Sequence, residues 1–141
     1  KNIEIIWQIG KYGYSEYSKK LIDKKGVHFF EFSNEMGKIY NSVDFILSRA
    51  GALSLAETET KKIPSIIIPL PSSAGNHQFY NAMELKYKSV AEVINQKEIG
   101  TLLEPAIFFM KDNFEEIKKK FVNSKHLNAA ENIVKEILEI A

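Results

Sequence analysis

Asp44-Phe45-Ile46-Leu47-Ser48-Arg49-Ala50-Gly51-Ala52-Leu53-Ser54-Leu55-Ala56-Glu57, followed shortly by Ile63-Pro64-Ser65-Ile66-Ile67-Ile68-Pro69, decides the fold of this chain. Asp44 to Leu47 is short and apolar, as a strand buried on both faces should be. A small-residue turn follows, and then a helix to about Lys61. Ser65 to Ile68 is again a compact β-branched run. Two short apolar strands separated by a helix form a crossover unit, the connection that parallel pairing requires.

The same alternation extends outward in both directions. Towards the N-terminus, Ile3 to Ile9 and Val27 to Phe32 read as strands. Gly10-Lys11-Tyr12-Gly13 reads as the turn after the first. Ser15 to Lys25 is a helix with Tyr17, Leu21 and Ile22 on one face and Gly26 as its stop. Asn34 to Asn41 is a short helix carrying Met36, Ile39 and Tyr40. Towards the C-terminus, Pro69 to Gly75 is a loop of Pro, Ser and Gly. Asn76 caps a helix running to about Tyr87, and Val90 to Ile94 is a fifth strand. Helices are expected over Gln96–Phe108, Asn113–Phe121 and Leu127–Ile140. Strands alternating with helices predict an α/β fold, a Rossmann-like parallel sheet with helices on both faces. With 141 residues and no repeat or long linker, one domain is expected.

Composition narrows the function. The hydrophobic fraction of 45% suffices for a core, and the net charge of +1 offers no field for nucleic acid or an anionic membrane. Arg49 is the only arginine, which excludes an arginine-rich nucleic-acid face. The absence of cysteine removes disulfides, thiolate metal sites and cysteine nucleophiles. His28, His77 and His126 have no metal-ligand spacing, so no metal and no cofactor are expected. No apolar run approaches the roughly 20 residues that span a bilayer. The chain begins at Lys1 and enters a strand almost at once, as a piece of a longer chain is expected to.

Ligands of parallel α/β sheets lie beyond the carboxyl ends of the strands. The loops Gly10–Tyr14, Phe32–Met36, Ser48–Ser54 and Pro69–Gln78 all follow strands, so all four are expected on one rim. The first candidate constellation is Arg49-Ala50-Gly51-Ala52-Leu53-Ser54 with Glu57. Free N–H groups and the dipole of a helix start attract phosphate, and small residues let it approach. Glu57, about one turn on, suits both hydroxyls of a ribose. The same Ser54-to-Glu57 spacing also fits a capping box. The second constellation is Gly75-Asn76-His77-Gln78 with Asn81, polar heads suited to sugar hydroxyls or simply to a capped, solvated first turn. Lys11 after the first strand suits a phosphate or open solvent. Phe32 and Met36 suit the wall of a base site, or core packing, and Trp7 reads as core. Neither a G-x-G-x-x-G nor a Walker-type loop occurs.

Taken together, Ser48 to Glu57, Ile63 to Pro71 and Asn76-His77-Gln78-Phe79-Tyr80-Asn81-Ala82 resemble the C-terminal domain of MurG-type glycosyltransferases, family 28, in order, spacing and residue type. The resemblance extends over nearly the whole chain, including Gln8-Ile9-Gly10-Lys11 and Asn128-Ala129-Ala130-Glu131. It implies the C-terminal, UDP-sugar-binding half of a GT-B enzyme that moves N-acetylglucosamine from UDP-GlcNAc to lipid I, giving lipid II in peptidoglycan synthesis. It also implies roles. Gly51, Ala52, Leu53 and Ser54 would face the diphosphate, and Glu57 the ribose. The backbone at Phe32 and Ser33 would read uracil beside Met36. His77 and Gln78 would contact the sugar with Asn76 and Asn81 nearby, and Arg49 is family-like. The family's glycine-rich first strand of this domain, G-G-S-Q-G-A, is absent, as is the N-terminal acceptor domain, which would hold the catalytic residues, lipid I and the patch facing the inner side of the cell membrane. The chain alone is therefore expected to be inactive. The implied chemistry is an inverting, metal-independent displacement, in keeping with the lack of a D-x-D motif. Rival readings are a donor subunit of the dolichol-pathway type, another GT-B enzyme such as a glycolipid transferase or an epimerase, and a domain that keeps the fold without a ligand.

Overall fold

The structure, a computed structural model, describes residues 3–121 and 129–140. The chain divides into two compact units, Lys1–Ile39 and Tyr40–Ala141.

In the first unit, β1 (Ile5–Gln8) and β2 (Val27–Phe30) pair in parallel, with Ile5 opposite Val27 and Trp7 opposite Phe29. Helix α1 (Lys11–Leu21) makes the crossover. It begins four residues earlier than the sequence suggests. Gly10 adopts φ +81° and ψ 160°, a conformation open only to glycine, and turns the strand directly into the helix. Lys11 to Gly13 are thus helical rather than a turn. Aromatic pairs lay α1 on the sheet: Trp7 against Tyr17 with centroids 5.4 Å apart, and Tyr14 against Phe29 at 6.3 Å. Trp7 is not a core residue as expected, since 38% of it remains exposed. Helix α2 (Met36–Tyr40) follows β2.

In the second unit, β3 (Ile46–Ser48), β4 (Ser65–Ile67) and β5 (Ala91–Val93) form a parallel sheet in the order β3-β4-β5. Ile46 pairs with Ser65, and Ser65 with Ala91. The central strand explains the packing. Successive strand residues point to opposite faces, yet Ile66 and Ile67 are both fully buried. Both faces of β4 are therefore covered. Helices α3 (Ala52–Thr60), α4 (His77–Tyr87) and α5 (Ile99–Lys118) supply the cover with Leu55, Ala82, Leu85, Met110 and Ile117. Burial of these side chains stabilises the unit by about 1.5–3 kcal/mol for each large aliphatic one.

Helix α5 departs from expectation. The sequence predicts two helices, Gln96–Phe108 and Asn113–Phe121, but one runs unbroken from Ile99 to Lys118, through Pro105. Pro105 falls in the second turn, where the missing N–H costs one bond. Asn113, expected to start a new helix, instead donates its side-chain amide to Phe109 O at 2.8 Å, one turn back in the same helix. A short 3₁₀ turn, Gln96–Glu98, leads into α5.

Between α3 and α4, Lys88 joins Glu59 at 2.7 Å and Glu84 at 3.0 Å. The Glu59 carboxylate holds the Lys88 ammonium above its ordinary pKa, against a smaller opposing effect of burial. Helix α6 (Ala129–Ile140) presents Ile133, Val134, Ile137 and Leu138 exposed along one side. Leu127 and Asn128, expected in this helix, lie outside the described residues, as does His126. Among the described residues no helix is long and apolar enough to cross a membrane.

Candidate functional site

In the second unit the sheet is parallel, so the chain leaves β3, β4 and β5 on one side. Both polar constellations of this unit lie there, and a hydrogen bond joins them. Asn81 of α4 donates to the carbonyl of Ala50, between β3 and α3, at 3.4 Å. Ala50 is fully buried, so the turn before α3 is pinned from below.

Helix α3 starts at Ala52 with Gly51 as N-cap, and no side chain caps it. Ser54 therefore lies inside the first turn. The capping-box alternative fails, because that motif needs the serine at the cap position. The first amides of a helix have no intrahelical partner, and here the N–H groups of Ala52, Leu53 and Ser54 are among them, at the positive end of the helix dipole. Gly51 has an ordinary φ of −67°, so its backbone does not demand glycine. A Cβ there would stand 3.8 Å from Ser54 Oγ, over the first turn. The missing side chain is what leaves that turn open. Leu53 is 75% exposed.

Glu57 does not fold back towards the helix start either. Its Oε2 accepts from the Tyr40 hydroxyl at 3.1 Å. Burial, and then the hydrogen bond to Glu57, push the Tyr40 pKa up to about 12. The phenol is thus a permanent donor near neutral pH. A folded-state pKa raised above its unfolded value gives stability that is complete below the unfolded pKa and is lost as pH rises through the folded one. Tyr40 and Lys88 both have this sign. The unfolding midpoint in urea is expected to stay level from about pH 8 to 9.5 and to fall from about pH 10 upward. A midpoint that rose above pH 10 would contradict both contacts.

Arg49 lies beside the turn, exposed, and one nitrogen of its guanidinium is used within the protein. Nη1 donates to Gln96 Oε1 at 2.9 Å and to Ile68 O at 3.2 Å, with Pro69 O at 3.5 Å. It ties the end of β4 to the segment after β5.

The loop after β4 closes on itself. Gln78 Oε1 accepts from Leu70 N at 3.0 Å, and Ser73 Oγ accepts from Gln78 N at 3.4 Å. Gly75 and Asn76 are both left-handed, at φ +54° and +55°. At Gly75 a Cβ would also stand 3.3 Å from His77 Nε2, so the imidazole folds over the glycine. Asn76 occupies the N-cap of α4 but makes no side-chain cap bond, contrary to its expected capping role. The side chains of Asn76 and His77 are exposed. Leu70 is the exposed start of the loop, and Pro69 is buried.

The remaining candidates belong to the first unit, where Phe32, Ser33 and Met36 follow β2 and Lys11 follows β1. Ser33 Oγ accepts from Glu35 N at 3.0 Å, a turn that introduces α2. Met36 is half-buried, but Phe32 is 70% exposed, so it is not a core residue. Lys11 opens α1, exposed.

Sequence reasoning missed three residues of this arrangement: Tyr40, which it read as part of an apolar helix face, and Gln96 and Ser73. No short-range signal marks Tyr40 or Gln96, whereas Ser73 bonds within its own loop, five residues from Gln78. Tyr40 meets Glu57 across 17 positions, and Gln96 meets Arg49 across 47.

Comparison with known proteins places the chain in a family. The chain is 35% identical over 140 residues to the UDP-N-acetylglucosamine–N-acetylmuramyl-(pentapeptide) pyrophosphoryl-undecaprenol N-acetylglucosamine transferase of Christiangramia forsetii, covering 97% of this chain and 38% of that protein. It is 32% identical over 144 residues to the like-named enzyme of Parabacteroides distasonis, covering 99% of this chain and 39% of that one. The chain thus spans somewhat over a third of the length of these relatives. A crystal structure of Acinetobacter baumannii MurG superposes with a TM-score of 0.74 at 20% identity, over 99% of this chain and 50% of that one, which shows the shared fold. The profile of the glycosyltransferase family 28 C-terminal domain matches residues 1–137, and the chain belongs to that family.

Proposed function

We propose that this chain is the donor-binding half of a transferase that passes N-acetylglucosamine from UDP-GlcNAc to lipid I, forming lipid II. One observation carries the reading above the others: the uncapped start of α3, with Glu57 one turn beyond it. An unfilled row of amides beside a turn of small residues suits a diphosphate, and a carboxylate at that distance suits a ribose diol. The names of the relatives supply the sugar and the acceptor.

In this reading Ala52, Leu53 and Ser54 offer amides to the diphosphate, and Glu57 accepts from the ribose hydroxyls. Phe32, Ser33 and Met36 serve the uracil. His77 and Gln78, with Asn76 and Asn81 beside them, serve the sugar. Arg49 bonds Gln96 and Ile68 O through Nη1, which steadies the loop after β4, and the rest of its exposed guanidinium serves the donor. The acceptor hydroxyl attacks the anomeric carbon as the bond to UDP breaks, which inverts the configuration. Negative charge then grows on the departing diphosphate. Fixed amides at a helix start meet that charge without reorganising. The acceptor, the catalytic residues and the contact with the inner face of the cell membrane fall to the remainder of an enzyme of the relatives' length. The proposed location is the cytoplasmic face of that membrane.

The test is calorimetric titration of the chain with UDP, UDP-GlcNAc and UDP-glucose, with and without magnesium. Saturable binding of UDP and UDP-GlcNAc that does not depend on magnesium is expected. A folded chain that binds neither nucleotide would refute the donor-site reading.

A further inference from the structure

Glu57 is exposed on α3, and a free glutamate there would sample several rotamers. Its carboxylate is nevertheless held at one oxygen. The donor is the hydroxyl of Tyr40, the last residue of α2 and the first of the second unit, whose half-buried ring fixes where the phenol points. A carboxylate has about four lone-pair positions on its two oxygens. Tyr40 takes one on Oε2, which leaves the second position there and all of Oε1. That remainder matches the two donors of a cis-diol, one hydroxyl to each oxygen. The phenol also stays protonated at any pH at which a nucleotide would be bound, so the orientation is constant.

We infer that Tyr40 is a positioning residue for the sugar of the nucleotide: its hydroxyl orients the Glu57 carboxylate to receive a 2′,3′-diol and so sets a preference for ribonucleotides over 2′-deoxyribonucleotides. The inference rests on the reading of Glu57 as the ribose acceptor. It goes further by naming a residue that would not touch the ligand and by giving the specificity that residue controls. Orienting one acceptor matters most for a ligand that uses both of its oxygens. A 2′-deoxyribose offers a single hydroxyl, which a mobile carboxylate can follow at little loss.

The test is calorimetric titration of the native chain, Tyr40→Phe and Glu57→Gln with UDP and with 2′-deoxy-UDP. The native chain is expected to prefer UDP. Tyr40→Phe is expected to weaken UDP about three- to ten-fold, the net worth of one ordinary hydrogen bond, and to change 2′-deoxy-UDP less than two-fold. In the Glu57→Gln background, Tyr40→Phe is expected to add little, because the two side chains act as a unit. A purely structural role for the phenol would weaken both nucleotides alike, and an unchanged ratio of the two affinities overturns the inference. Tyr40→Met fills the site differently while also lacking a donor. It makes the same prediction, so the ratio stays readable where Phe disturbs the packing. If the folded native chain binds no UDP, the ribose reading itself fails and this inference falls with it. If it binds UDP but the ratio ignores Tyr40, only the inference fails.

Discussion

Glu57→Ala is expected to weaken UDP-GlcNAc binding by about 1–3 kcal/mol, roughly 5- to 150-fold, the range for hydrogen bonds to a charged group. Calorimetry on the native and substituted chains measures it. The fold should lose little: Glu57 is exposed and alanine favours a helix, so the change in unfolding free energy is expected to be about 1 kcal/mol, the loss of the hydrogen bond from Tyr40. That separation makes the substitution informative. The α3 amides are backbone groups and survive it, so diphosphate recognition persists while ribose recognition is lost. The loss should therefore be nearly the same for UDP and UDP-GlcNAc, because both carry the ribose. Pyrophosphate alone, which lacks one, should bind as before. An unchanged UDP-GlcNAc affinity would remove Glu57 from the site.

Ile67→Ala is expected to cost about 2–5 kcal/mol of folding stability, the range for truncating a large buried aliphatic side chain. Ile67 is fully buried in the central strand of the second unit. Its neighbours on the strand are paired on both sides, with Ser48 across from it on β3 and Val93 on β5. Backbone bonds such as Ile94 N to Ile67 O at 3.0 Å hold the strand where it is. The packing around it thus cannot collapse into the space left, and a cavity remains. Urea unfolding with an unchanged slope would give the loss directly. A cost below about 1 kcal/mol would mean that the second unit does not depend on β4 as its core. The folded fraction should keep its nucleotide affinity, because the α3 start and Glu57 are untouched.

The α/β alternation and the positions of β3, α3 and β4 were legible in the sequence because they depend on neighbours. A short apolar run, a turn of small residues and a helical period are properties of ten or so consecutive residues. The same locality explains the errors. Gly10 looked like part of a turn, but its left-handed conformation starts a helix at once. Asn113 looked like a helix start, yet its amide finds Phe109 O inside a helix that packing on Met110 and Ile117 keeps continuous. Ser54 and Glu57 matched a cap by spacing, but the helix begins two residues before Ser54.

The candidate site divides in the same way. Sequence named Gly51 to Ser54, Glu57 and the Asn76–Asn81 cluster, because each sits next to a strand end that its own residues announce. The two clusters are joined by Asn81 to Ala50, which only folding reveals. The partner of Glu57 and the bond from Arg49 Nη1 to Gln96 are likewise tertiary facts. The sequence by itself determined which segments become strands and helices and which loops follow them, since those choices are made by local sterics and hydrophobic period. Only the tertiary structure decided which polar groups are left for a ligand. Hydrogen-bond partners such as Tyr40 for Glu57, or Gln96 for Arg49, come from distant parts of the chain that meet when the apolar core closes.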